Sequence, residues 1–455
     1  MDFPRGSDIG YGDSVPIVGP WRMTQTATSP AGAKSAWSER IEAVLAGIVV
    51  LMLTSPGLLL LGVSDDPAAP ENPAFRVYWL LPYAIILGLA AWRAPRLLRA
   101  WTPLLLAAVV VGWAYATKSW SIDAETTGRR VIALAVTTLF GLYLGAALDY
   151  RRFVQLIAGC FLLLTVGSLL LIVAIPSFGV DHLNNGGDWR GLWAEKNTLA
   201  LFMALGGVAA LSAFFLAPRG RWLWALMLAL CALLLVMSRG KTALLCFAIT
   251  LVAAGGLWLM RRGRIIGVLT AWTMVTAGAL LGFVIWLTPE MALKAVGKDP
   301  TLTGRTQIWK SVMDQVALHP LLGYGFAAFW GQTSVPAMIV RKQTGWTVPT
   351  AHNGWIDLLV QVGWIGVGVF AAIFLLNILA NIVRAAKTNE YFAILFLTIF
   401  GVFSLTESFL EQHNSLFWTL FVAVLTQALG SSDVQTPSRH GRACHGHPFH
   451  DAASV

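Results

Sequence analysis

Apolar residues in this chain come in long unbroken runs, not in alternation. Twelve runs stand out, at 41–62, 77–92, 99–117, 131–147, 153–175, 198–217, 222–238, 242–260, 264–287, 358–383, 391–408 and 413–430. Each is near the ~20 residues that an α-helix needs to cross a bilayer. The alternating ten-residue strands of a membrane β-barrel are missing. The pattern predicts an all-α polytopic membrane protein of about 12 transmembrane helices. A long loop, 288–357, separates helices 9 and 10. The implied organisation is a polar tail over 1–40, helices 1–9 over 41–287, the loop, helices 10–12 over 358–430 and a polar, disordered tail over 431–455.

Composition agrees with this. Of 455 residues, 56% are hydrophobic and 12% charged, against roughly a quarter charged in a soluble domain. A net charge of +9 then bears first on membrane orientation, and no nucleic-acid partner is implied. With the N-terminus cytoplasmic, the inward loops carry Arg93, Arg96 and Arg99; Arg151 and Arg152; Arg219 and Arg221; Arg261, Arg262 and Arg264; and Arg384 and Lys387. Every inward loop is basic, as the positive-inside rule requires, so both termini are expected on the cytoplasmic side. The segments about 176–197 and 288–357 then lie outside, and long loops on a packed scaffold usually carry function.

Residues 1–38 contain no apolar h-region, so the expectation is an uncleaved first helix acting as the insertion signal. A start at Met23 would preserve every run. Cys160, Cys231 and Cys246 lie in apolar runs and Cys444 in the tail, which implies no disulfide framework. The tail cluster Cys444, His445, His447 and His450 lacks a second set of metal ligands, and no metal is expected.

Cations on the outer side break the positive-inside rule and need a reason. They include Arg129 and Arg130, Arg190 and Lys196, Arg239 and Lys241, Arg305 and Lys310, and Arg341 and Lys342. Guanidinium forks suit phosphate oxygens. For any single arginine, snorkelling to lipid headgroups explains as much; for the set, spread over separate loops, a shared anionic ligand explains more. Within Thr303-Gly304-Arg305-Thr306-Gln307-Ile308-Trp309-Lys310, a helix is predicted to begin. Ile308, Trp309, Val312, Met313 and Val316 form one apolar stripe, expected to lie on the membrane surface. Thr303 is the expected cap, with Arg305 in the first turn, where free N–H groups favour an anion. His319-Pro320-Leu321-Leu322-Gly323-Tyr324-Gly325 would end that helix.

Four histidines fall on the outer side: His182, His319, His352 and His413. His352, in Thr350-Ala351-His352-Asn353-Gly354-Trp355-Ile356-Asp357, stands where the long loop re-enters the membrane. A neutral imidazole there can take a proton from a sugar hydroxyl, or it can simply hydrogen-bond at a helix start. No HExxH, Walker A, dinucleotide or paired DxD signature exists, so nucleotide chemistry is unsupported. Glu407, Glu411 and His413 in the last outer loop have no role assigned by their positions alone.

Three segments in order resemble a known family: Asp188-Trp189-Arg190-Gly191-Leu192-Trp193-Ala194-Glu195-Lys196-Asn197, then Ser238-Arg239-Gly240-Lys241, then Gly304-Arg305 through Gly325 with His352-Asn353. Trp120-Ser121 with Thr127-Gly128-Arg129-Arg130 fits as well. The chain resembles the O-antigen ligase and polymerase superfamily over roughly residues 40–430, closest to its exopolysaccharide repeat-unit polymerases. The resemblance implies a GT-C-like, inverting glycosyltransferase of the bacterial inner membrane that needs no nucleotide, metal or other cofactor. Such an enzyme moves a glycan from undecaprenyl pyrophosphate to an acceptor hydroxyl on the periplasmic side, which makes 288–357 a periplasmic loop. By position, Arg190, Arg239 and Arg305 would hold the pyrophosphate, with Lys196 and Arg130 as further cations; His352 would act as base or orient the acceptor. Partners implied are the lipid-linked oligosaccharide, membrane lipid, and a flippase and chain-length regulator of the same pathway. Two alternatives remain open: a ligase passing a finished glycan to lipid A core or another acceptor, and a transporter or flippase of an anionic or lipid-linked substrate. A transporter would favour mid-membrane charges and internal repeats. A third reading is a non-catalytic assembly partner.

Overall fold

The structure is a computed structural model describing residues 30–57, 73–182, 186–217, 219–263, 265–274, 276, 304–388 and 390–430. It divides into two units, Met1–Glu42 and Ala43–Val455. Of the first, the described part is helical. The second carries the bundle and the site.

The helices are α1 (Pro30–Leu53), α2 (Pro73–Trp92), α3 (Ala94–Arg99), α4 (Trp101–Ala116), α5 (Ala124–Ala147), α6 (Tyr150–Ala174), the short α7 (Pro176–Gly179), α8 (Lys196–Leu216), α9 (Arg221–Met237) and α10 (Lys241–Met260). There follow α11 (Ile265–Met274), α12 (Arg305–Val316), α13 (Val335–Thr344), α14 (Gly354–Thr388), α15 (Phe392–Phe403) and α16 (Leu416–Leu429). Two short strands, β1 (Val180–Asp181) and β2 (Asp188–Trp189), pair antiparallel, with Asp181 opposite Asp188. Each of the twelve apolar runs overlaps one of these helices. The ends of the first and ninth runs lie outside the described residues, as do 1–29, 288–303 and 431–455; residues 30–40 of the expected N-terminal polar tail form the start of α1. Among the described residues, five helices, α5, α6, α8, α10 and α14, are long and apolar enough to cross a membrane. The chain is therefore an all-α, multi-pass membrane protein.

Small residues set the closest helix approaches, as expected where lipid supplies no hydrophobic drive between helices. Gly141 and Gly145 of α5 face α16 so closely that a Cβ would come 2.6 Å from the Thr419 carbonyl oxygen and 2.5 Å from that of Ala423. Trp418 Nε1 donates to Thr138 Oγ1 at 2.8 Å across the same seam. Helix α8 is the most enclosed of the five long helices; a Cβ on Gly207 would meet the Phe247 ring of α10 at 2.6 Å.

Two expectations change in the loop before α14. The helix at Arg305 is capped by Gly304, at φ 87° and without a side-chain cap bond; Thr303 lies outside the described residues. Its stripe does not lie on a membrane surface. Ile308, Val312 and Val316 are buried in the protein core, and only Met313 of the stripe is exposed. A second helix, α13, follows it, which the sequence pattern did not single out. Within α14, Gly363 adopts φ 68° and ψ −178°, breaking the helix in its third turn. The freed backbone groups are met by the His319–Gly325 segment: Tyr324 N donates to Val360 O, Gly325 N to Gln361 O and Trp364 N to Pro320 O, each at 2.9 Å. Irregular backbone inside a bundle survives only where protein satisfies it in this way.

Candidate active site

A cleft of about 300 Å³ opens at the N-terminal ends of α8 and α10. Arg305 at the start of α12, His352 just before α14, and Glu407 and Ser408 in the loop after α15 complete its walls, together with Lys241. Five separate segments of chain thus meet at one place.

Local geometry explains how each arrives. The turn from α9 to α10 is tight because Ser238 Oγ donates to Leu235 O and accepts the Gly240 amide, while Arg239 takes φ 52°. Any side chain at Gly240 would run into Ala200 Cβ at 2.6 Å, so glycine is what lets this turn lie against α8. His352 sits at φ 49°, a conformation uncommon for residues other than glycine and asparagine. Its neighbours pin it there. Trp309 Nε1 donates to Ala351 O, the Ala351 amide donates to Asp357 Oδ1, the His352 amide to Thr350 Oγ1 and the Asn353 amide to Ser408 Oγ. Asn353 Oδ1 in turn accepts the amides of Trp355 and Ile356, starting α14. Asp357, fully enclosed, also accepts from Trp330 Nε1 at 2.6 Å. Residues in sparse backbone regions that are over-determined by their surroundings are a recurring feature of active sites.

The side chains converge on Glu407. One carboxylate oxygen lies 3.5 Å from Arg305 NH2, and the other 3.8 Å from His352 Nδ1. Arg305 NH1 donates to Thr406 O at 2.6 Å, fixing the guanidinium to the same loop. The Trp346 ring lies parallel to the imidazole, with centroids 6.3 Å apart. A guanidinium with donors to spare, an imidazole with its far nitrogen directed away from the carboxylate contact, and a shared carboxylate can together bind an anion and move a proton.

The remaining predicted cations are placed differently. Lys196 and Arg239 flank the cleft and share one counter-ion, Asp188, at 2.7 and 3.1 Å. Asp188 is buried. Arg190 is turned away, its guanidinium donating to the carbonyls of Phe178 and Ser177. Arg130 donates to Ala327 O and stands by the half-buried His413. The structure thus brings Arg305 and His352 into one cleft, sets Lys196 and Arg239 at its edge, and leaves Arg190 and Arg130 among the residues that support the loops. Glu407 and Asp188 are the partners that sequence reasoning did not assign; the signal for both was an acidic residue among the cations expected on the outer side. Among the described residues, no group of three His, Cys, Asp or Glu side chains could hold a metal ion.

Residues 224–371 match the family described as O-antigen ligase. Over this third of its length the chain is similar to the O-antigen ligase/polymerase superfamily. That match includes Lys241, Arg305 and His352 and stops short of Glu407. The chain is 27% identical over 291 residues to the exopolysaccharide production protein ExoQ of Rhizobium meliloti, covering 58% of this chain and 60% of that protein. It is also 30% identical over 141 residues to the general O-oligosaccharyltransferase of Acinetobacter baylyi, covering 30% of this chain and 23% of that protein. The aligned region thus spans 60% of the first relative and 23% of the second, less than two thirds of either.

Proposed function

We propose that this protein polymerises undecaprenyl-pyrophosphate-linked oligosaccharide repeat units into an exopolysaccharide at the periplasmic face of the inner membrane, without metal or nucleotide. The observation that carries the reading is the convergence of Arg305, Glu407 and His352 on one cleft at the ends of two candidate spans. The longer of the two similarities, to an exopolysaccharide production protein, favours polymerisation over transfer to another acceptor. In this reading all twelve apolar helices are transmembrane, both termini are cytoplasmic and 288–357 is periplasmic, consistent with basic residues in every inward loop.

The reaction follows from the chemistry of the groups. An acceptor hydroxyl oxygen attacks the anomeric carbon of the donor sugar from the face opposite the pyrophosphate. The bond between that carbon and the phosphate oxygen breaks, and the electron pair leaves with the pyrophosphate, so the anomeric configuration inverts. His352 accepts the hydroxyl proton on its Nε2, while Glu407 faces Nδ1 and holds the imidazole in orientation. Arg305 and Lys241 stabilise the charge growing on the leaving group. Fixed donors aimed at developing charge are commonly the largest single catalytic contribution. Lys196 and Arg239, held by Asp188, extend the cationic edge towards the donor phosphates. Arg190 and Arg130 serve the loops that carry these residues. A flippase and a chain-length regulator would supply the donor and end the polymer.

The test is an assay of the reconstituted protein with undecaprenyl-pyrophosphate repeat units and no nucleotide or metal. A ladder of lipid-linked glycans, lost in His352→Ala and Arg305→Ala, supports the polymerase. Transfer only after a core glycolipid is added would make the protein a ligase. An inert wild type with both acceptors would refute catalysis and favour a transporter or an assembly partner.

A further inference from the structure

A second cavity, of about 320 Å³, lies between the far ends of the helices that carry the cleft. The cleft is formed by the first residues of α8 and α10; this cavity is lined by their last turns, at Phe215 and Leu216 and at Trp258 and Arg261. At 1.5 Å per residue, helices of 21 and 20 residues separate the two sites by about 30 Å, the thickness of a bilayer hydrocarbon core. The two therefore face opposite leaflets.

Its lining is divided by chemistry. Phe215, Leu216, Trp258 and Leu395 form an apolar wall, and Phe215 and Trp258 are about half exposed, so the wall opens sideways. The lining also includes two hydrogen-bond donors, Arg261 and Tyr150. The Arg261 guanidinium lies 5.2 Å from the centroid of the Tyr391 ring and makes no hydrogen bond or ion pair among the described residues. The Tyr150 hydroxyl accepts the Phe392 amide at 3.0 Å and donates its own proton to no described residue, although Tyr150 is only 7% exposed. Glu390, a carboxylate whose charge is felt at Tyr150, is already paired with Arg384 at 2.7 Å. The neighbouring helix ends are cationic too: Arg262 lies over Trp258, and Arg221 over Phe214. A buried phenol with an unused donor costs free energy unless an acceptor reaches it. An acceptor-only anion carrying an apolar chain satisfies both donors and the wall at once.

We propose that this cavity binds an anionic phospholipid of the leaflet opposite the cleft, with Arg261 and Tyr150 on the lipid phosphate and an acyl chain along Phe215, Leu216 and Leu395. The phosphate belongs either to a bilayer phospholipid or to a polyprenyl phosphate, and both present the same group to the two donors. The site is independent of the reaction proposed for the cleft.

The experiment is native mass spectrometry of the full chain after delipidation, with phosphatidylglycerol, phosphatidylethanolamine, undecaprenyl phosphate or inorganic phosphate added back in turn. Wild type should retain phosphatidylglycerol or undecaprenyl phosphate, and the better retained of the two identifies the source. Arg261→Gln should weaken that retention about tenfold, the loss expected for one charged hydrogen bond. Tyr150→Phe should weaken it less, which keeps the test decisive should Arg261→Gln fail to fold. Equal retention by both variants and wild type, equal retention of phosphatidylethanolamine, or displacement of the lipid by inorganic phosphate would each overturn the proposal.

Discussion

His352 Nδ1 faces Glu407 Oε2 at 3.8 Å, although 55 residues and helices α14 and α15 separate them in the chain. The loops bearing the two residues are clasped beneath this contact. The Gly354 amide donates to Ser404 O at 2.8 Å, Trp355 Nε1 to Ser404 Oγ at 3.0 Å and the Asn353 amide to Ser408 Oγ at 3.2 Å. The imidazole and the carboxylate are therefore held by backbone and not by their own contact alone.

Glu407→Gln separates orientation from charge. It keeps the shape and one acceptor oxygen facing the imidazole but removes the negative charge shared with Arg305. The expected outcome is a fall in kcat of about 10–100-fold, the range seen when an outer partner of a reactive group is lost, with little change in KM. Steady-state kinetics of the reconstituted protein would check this; an unchanged kcat would remove Glu407 from the mechanism.

Arg305 provides a fork, not just a charge, since NH1 is bonded to Thr406 O while NH2 faces Glu407. Arg305→Ala should lower the rate by ~10²–10³. Arg305→Lys should recover only part of it, because an ammonium cannot reproduce two fixed directions. Full activity in the lysine variant would mean that net positive charge is all the cleft requires at this point.

Gly363→Ala tests the break in α14. A Cβ there would collide with the Leu321 carbonyl, and the φ of 68° disfavours any side chain. The variant should lose about 1–3 kcal/mol of stability, read as a lower thermal midpoint in detergent. The His319–Gly325 segment should also become more accessible to protease. If alanine is accepted with an unchanged midpoint, the segment is not held by this break.

Two groups in the last loop, the buried Glu411 and the half-buried His413, give stability a pH dependence. Burial pushes the Glu411 carboxyl up to about 8 from an ordinary 4.5, and its Oε1 has no hydrogen-bond partner among the described residues. Burial, aided by Arg130, pushes the His413 imidazole down to about 3 from 6.5. For Glu411 the folded state holds a proton that the unfolded chain releases above 4.5, so its contribution is lost as pH rises towards 8. For His413 the unfolded chain takes up a proton below 6.5 that the folded state refuses, so stability falls from 6.5 towards 3. The two effects oppose one another between 4.5 and 6.5, where stability should be flat, with losses on either side. Thermal midpoints from pH 4 to 9 would show this, and Glu411→Gln should abolish the alkaline loss; a midpoint still falling above pH 6.5 in that variant would assign the loss elsewhere.

Membrane class and helix positions could be read from the chain alone, because a segment in lipid must satisfy its backbone internally and stay apolar along its whole length. That requirement is local, and it left its record in twelve runs that overlap helices. Arg305 and His352 could be singled out because a cation opening a predicted helix and a histidine at the start of an apolar run stand out in the sequence, and the structure places both in one cleft. What only the tertiary structure decided was which groups meet. Nothing in the spacing of Arg190 and Arg305 says that the first turns to the carbonyls of Ser177 and Phe178 while the second faces the cleft. Likewise the stripe of α12 reads the same whether lipid or protein covers it, since both are apolar. The burial of Ile308, Val312 and Val316, the break at Gly363 and the pairing of Glu407 with Arg305 and His352 depend on contacts between segments far apart in the chain. Local periodicity carries no information about such contacts.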